Sequence, residues 1–186
     1  NIVGTATTFT YYQNSNYKLS GCINDAVDIS TTIHNLCSKK NIDLTLELCL
    51  DNSNANYPSK DNILKTLRNA ISQCNSNVYD NIIFYFAGHG YQISDTNNDE
   101  YDLKDELILT ADGKTILDDE LFLIISKLNK NISASFIFDC CHSGTILDLP
   151  KIPIGKNLSK PGKMKLNNNI ICITACSDIQ KSTERN

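Results

Sequence analysis

The chain has 186 residues, a formal net charge of -4, and 41% hydrophobic against 20% charged residues. That length suits one domain with a sizeable core, and that balance excludes a disordered tail. The negative charge argues against general attraction to nucleic acid or acidic membranes, and no apolar run approaches the ~18 residues that a membrane helix needs.

In chain order, Ile2 to Phe9 reads as a strand rich in threonine and valine. From Asp25 to Cys37, the residues Ala26, Ile29, Ile33, Leu36 and Cys37 recur at helical spacing. Leu44 to Leu50 reads as a strand, and Asp51 to Asn56 as a polar turn. Pro58 and Ser59, the latter an expected N-cap, lead into an amphipathic helix carrying Ile63, Leu64, Leu67, Ala70, Ile71 and Cys74. Ile82 to Phe86 is a continuous apolar run, as expected of a strand covered on both faces. Leu121, Phe122, Ile124, Ile125 and Leu128 predict another helix, Ser135 to Phe138 a second buried strand, and Ile170 to Thr174 a third. Strands alternating with helices predict an α/β fold, a three-layer α/β/α sandwich around a mostly parallel sheet. Tyr91 to Asp105 and the lysine-rich stretch from Pro150 to Asn169 lack this rhythm and read as long surface loops.

There are eight cysteines. Six of them (Cys22, Cys37, Cys49, Cys74, Cys172, Cys176) sit in or beside apolar segments, where a reduced cysteine behaves as a small hydrophobe. With no signal peptide in view, a reducing cytoplasmic setting is the simpler expectation. A zinc site from Cys140, Cys141, His142 and Cys172 competes weakly, because no Cys-x-x-Cys pair supports it.

Two strand ends carry the chemistry. The first runs Tyr85-Phe86-Ala87-Gly88-His89-Gly90, a histidine held between glycines. The second runs Phe138-Asp139-Cys140-Cys141-His142-Ser143-Gly144. In open α/β sheets, ligands bind outside the carboxyl ends of the strands. If the two strands are neighbours, an imidazole and a thiol share one cleft. A thiol with a reference pKa near ~8.5 needs such a base to become a good nucleophile at neutral pH. Alternation lets only one of Cys140 and Cys141 face the cleft. Spacing prefers His89 over His142 but leaves the choice of cysteine open.

These segments resemble the two catalytic motifs of the metacaspases, in the caspase-like clan. Gly21-Cys22-Ile23-Asn24-Asp25-Ala26 resembles the family's early motif, and Asp105-Glu106 and Asp118-Asp119-Glu120-Leu121 resemble two acidic motifs. Asp148-Leu149-Pro150 resembles the segment after the cysteine, and Cys176-Ser177-Asp178 with Gln180 a motif near the last large-subunit strand. The resemblance implies a single caspase-like catalytic domain over residues 1–186, ending about where the family's small subunit begins. It implies a cysteine endopeptidase with a Cys141–His89 dyad that cleaves after arginine or lysine. The primary pocket would be formed by Cys22, Asp25, Ala87 and Asp139. It implies calcium as activator, held by Asp105, Asp118, Asp119 and Asp148. Self-cleavage in the loop after Pro150, a monomeric state, and peptide or protein substrates complete the implied picture.

This chain departs from the family in three places. Ala87 stands where metacaspases often have serine, the acidic loop from Asp95 to Glu106 lacks the usual glycines, and the stretch from Asp105 to Asp118 is short. A non-catalytic caspase-like scaffold and a peptidase of different primary specificity are the competing functional readings. Asp25, Asp118 and Asp119 also suit helix first turns, a role compatible with the others.

Overall fold

The computed structural model describes residues 2–8, 19–52, 56–94, 104–141, 146–147 and 169–175. Five parallel strands make the main sheet, in the order β2-β1-β3-β7-β8. They are β1 (Ile2–Thr8), β2 (Leu44–Cys49), β3 (Asn81–Ala87), β7 (Ser133–Asp139) and β8 (Ile170–Thr174). A second, antiparallel sheet of β4 (Gly90–Ser94), β5 (Lys104–Leu109) and β6 (Thr115–Leu117) follows β3 directly. The helices are α1 (Cys22–Lys39), α2 (Lys60–Asn75) and α3 (Asp118–Ile125).

Alternation along the strands builds two cores. Phe84 and Phe86 of β3 meet Phe136 and Phe138 of β7, with ring centroids 5.7–6.4 Å apart. Ile63, Leu67 and Ile71 of α2, with Leu121 and Ile125 of α3, cover them. On the other face, Tyr85 and Ala87 of β3 meet Cys22 and Ala26 of α1, with Ile137 of β7 beside them. Burial of β3 on both faces explains its unbroken apolar run. The layers are therefore α1, sheet, and α2 with α3, which is the expected sandwich.

Local signals set the helix ends. The Ser59 hydroxyl accepts from the Asn62 N–H at 3.3 Å, capping α2. Beyond α1 and α2, Asn41 and Asn77 take φ of 52° and 59°, the left-handed turn that ends helices and that asparagine tolerates.

Two expectations need correction. The predicted loop from Tyr91 to Asp105 instead begins and ends in strands, because Gly90–Ser94 pairs antiparallel with Lys104–Leu109. Its polar composition hid this: Asp105 and Glu106 are buried at 3% and 1% exposure despite their charge. Glu106 accepts from Gln92 Nε2 at 2.7 Å across the strand pair, one of the cross-strand contacts that make the buried strand tolerable. The second correction is β8. Among the described residues it is the outermost strand of the sheet, and Ile171 and Ile173 are 60% and 53% exposed rather than buried. Among the described residues, no helix lies over its α1 side. The stretch from Pro150 up to Asn168 lies outside the described residues.

Candidate active site

Parallel pairing of β3 with β7 places Ala87 opposite Asp139. The two chemistry-bearing segments therefore leave the sheet side by side at its carboxyl edge. Gly88 N–H donates to the Asp139 carbonyl at 3.2 Å, extending the pairing past the strand end. The His89 carbonyl accepts from Leu109 N–H at 2.9 Å, which ties the histidine's backbone to β5. At Gly90 the approach is closest. A Cβ built there would stand 2.1 Å from the Cys141 carbonyl oxygen and 3.0 Å from Cys140 Sγ. Only glycine allows the backbone of Gly90 to lie on the Cys140–Cys141 segment in this way.

The cysteine pair divides by face. Cys140 is 1% exposed and packs in the phenylalanine core, whereas Cys141 is half-buried. His89 is also half-buried, and its ring lies 6.0 Å from that of Tyr91. His142 lies outside the described residues. Every cysteine among the described residues is a free thiol. Burial pushes the Cys74 thiol up to about 11 and the Cys172 thiol up to about 12. Iodoacetamide at neutral pH is accordingly expected to label Cys141 and leave Cys74 and Cys172 unmodified, as peptide mass mapping of the native protein would show.

Beside this edge, between α1 and the ends of β7 and β8, opens a groove of about 500 Å³. Asp25 and Asp28 of α1 and Asp139 of β7 line it, over a floor that includes Tyr85 and Ile137. The Tyr85 hydroxyl donates to Asp139 Oδ2 at 3.3 Å. Burial, then the charges of Asp139 and Asp25, push the Tyr85 phenol far up, so it stays protonated. Cys22 and Ala87, 6% and 1% exposed, pack beneath Tyr85 and are not among the groove's lining residues. Of the four predicted pocket residues, two therefore line the groove and two support it. Tyr85 and Asp28 were not among the predicted site residues. Both were within reach of periodicity: Tyr85 shares a strand face with Ala87, and Asp28 lies one helical turn beyond Asp25.

The acidic residues proposed for a metal sit at the β5–α3 junction. Asp118, 2% exposed, accepts from Glu106 N–H at 3.0 Å and from Asp119 N–H at 2.8 Å. Burial pushes its carboxyl up to about 7, the nearby Glu106 and Asp105 charges push the same way, and the two N–H bonds oppose them. Glu106 joins this cluster and was not predicted as part of it. Among the described residues, no three histidine, cysteine, aspartate or glutamate side chains converge as an ion site. Asp148 lies outside the described residues.

Because ionised Asp118 is disfavoured in the fold, its contribution to stability is largest below the unfolded pKa near ~3.9. It declines as pH rises through about 7. In chelator, the pH-dependence of urea midpoints between ~4 and ~7 should be clearly flatter in Asp118→Asn than in the wild type.

The geometry can be set beside known proteins. The model of the metacaspase, peptidase C14 domain matches residues 7–150. Metacaspase-1B of Aspergillus terreus is 33% identical over 139 residues, which is 73% of this chain and 36% of that protein. Metacaspase-1A of Neurospora crassa is 34% identical over 154 residues, 80% of this chain and 33% of that protein. The chain thus spans about a third of the length of these relatives. A solved Geobacter sulfurreducens protein, GSU0716, shares the fold with a TM-score of 0.57 at 22% identity, over 79% of this chain and 52% of that one. Among the described residues, no helix is long and apolar enough to cross a membrane. With two-thirds or more of its length matched by the family model and by relatives at one-third identity, and with the fold of a parallel caspase-like sandwich, this chain belongs to the metacaspase family.

Proposed function

We propose that this chain is the catalytic part of a cysteine endopeptidase that cleaves peptides after arginine or lysine, with Cys141 as nucleophile and His89 as its base. One observation carries the reading: the backbone of Gly90, next to His89, lies against the Cys140–Cys141 segment at the carboxyl edge of the sheet. In this reading Cys141 attacks the scissile carbonyl as the thiolate. A carbon–sulfur bond forms, and His89 takes the thiol proton and returns it to the leaving amine. Water then hydrolyses the thioester, with His89 again as base. Backbone N–H groups near Gly90 and Cys141 would hold the oxyanion.

The acidic groove supports basic specificity. Asp25, Asp28 and Asp139 attract a guanidinium or ammonium and repel an acidic side chain, while Ile29 and Ile137 suit its aliphatic stem. Incubation with fluorogenic peptides ending in arginine, lysine or aspartate tests this. Turnover of basic peptides alone is expected. Asp25→Asn and Asp139→Asn should each raise KM about tenfold or more, since each removes a charged partner. Turnover of aspartate peptides alone would refute the assignment.

Calcium enters as a structural ion. Asp105, Asp118, Asp119 and Asp148 are the acids this reading assigns to it, carboxylates being the hard oxygen ligands calcium prefers. Bound calcium would relieve the repulsion between the buried Asp105 and Asp118, and no chemical step needs it. A melting temperature raised by calcium in the wild type but not in Asp118→Asn is the expected sign. Self-cleavage at a lysine after Pro150 belongs to the same reading; a calcium-treated chain that stays intact by mass spectrometry would count against it.

A further inference from the structure

The strands at the site are rich in phenylalanine: Phe84, Phe86, Phe136 and Phe138 all point to one face and fill the larger core. Tyr85 points to the other face, is only 3% exposed, and packs with Cys22, Ala26 and Ala87. Phenylalanine would fill that space equally well. What tyrosine adds is one hydroxyl, and the hydroxyl is aimed at Asp139 Oδ2, 3.3 Å away, where the acidic groove opens.

Asp139 needs such a partner. Asp25 and Asp28 line the same groove, and like charges push an untethered carboxylate away toward solvent. A lysine or arginine partner would hold Asp139 but would also neutralise it and fill the place of a cationic ligand. A neutral donor holds the carboxylate and leaves its charge intact. The phenol suits this task because it stays protonated in its buried position.

We propose that Tyr85 is a specificity-positioning residue: its hydroxyl fixes Asp139 through one oxygen, so that the other faces the groove and receives the cationic side chain of the substrate. The inference rests on the groove being the primary pocket. Tyr85 touches neither the scissile bond nor the nucleophile, so its effect falls on binding.

Tyr85→Phe tests it. KM for arginine and lysine peptides should rise about three- to tenfold, the effect of deleting one hydrogen bond to a charged group, with kcat within about twofold. The thermal midpoint should move by no more than ~2 °C, because the ring still packs. Binding of N-acetylargininamide to Cys141→Ala protein, followed by NMR titration, should weaken by the same factor when Tyr85→Phe is added. Tyr85→Leu separates the hydroxyl from the ring. If Tyr85→Phe behaves like the wild type and only Tyr85→Leu is impaired, the residue is packing and the proposal is overturned. A fall in kcat at unchanged KM overturns it too. If the wild type cleaves no basic peptide, the peptidase reading fails; the argininamide titration then still decides the Tyr85–Asp139 role.

Discussion

Replacing Cys141 with alanine is expected to lower hydrolysis of a basic peptide by on the order of a thousandfold or more, without loss of fold. Among the described residues of this segment, the Cys141 sulfur is the partly exposed nucleophile: Cys141 is half-buried, whereas Cys140 is 1% exposed. His89→Ala should cost a similar factor. Adding His89→Ala to Cys141→Ala should cost little more, because the proposed dyad would act as one unit. The neighbouring cysteine is the control. Cys140 packs in the phenylalanine core, so Cys140→Ser places a hydroxyl among apolar side chains. That should cost about 1–3 kcal/mol of stability, read in urea unfolding, while turnover per folded molecule persists. Loss of activity in Cys140→Ser with full activity in Cys141→Ala would reverse the assignment and remove the basis for the mechanism.

The second large effect is expected at Gly90. Alanine there puts a methyl group 2.1 Å from the Cys141 carbonyl oxygen. A backbone carbonyl cannot rotate away as a side-chain tip can, so one of the two segments must shift by about an ångström or more. A displacement of that size between reacting groups can lower turnover about a hundredfold. Crowding should also destabilise the protein by about 1–3 kcal/mol. The expected signature is a kcat loss much larger than the stability loss predicts, in protein that is folded under the assay conditions. Equal turnover by Gly90→Ala and the wild type would show that the Gly90–Cys141 contact does not set the spacing of the dyad.

Much of this was readable along the chain. The apolar run of β3, the helical spacing of α2 and the cap at Ser59 are local patterns, and each element lies within a few residues of its expected position. Where local pattern and environment disagreed, the reading failed. Asp105 and Glu106 looked like loop residues because charge in a strand usually faces water. Glu106 is buried with partners distant in sequence, Gln92 and Asp118. Ile171 and Ile173 looked buried because they are apolar, but among the described residues β8 is the outermost strand. Tyr85 and Asp28 lay within reach of periodicity, but it is the assembled groove that sets them beside Asp25 and Asp139.

By itself the sequence determined the α/β class, the family, and the two segments able to do chemistry, because periodicity and motif are properties of contiguous residues. Strand order was decided only in three dimensions. Pairing β3 with β7 set Gly90 on Cys141, sent Cys140 into the core, and assembled Asp25, Asp28 and Asp139 around Tyr85. Those outcomes depend on contacts between residues dozens of positions apart, and packing of the whole sheet, rather than any local preference, selects them.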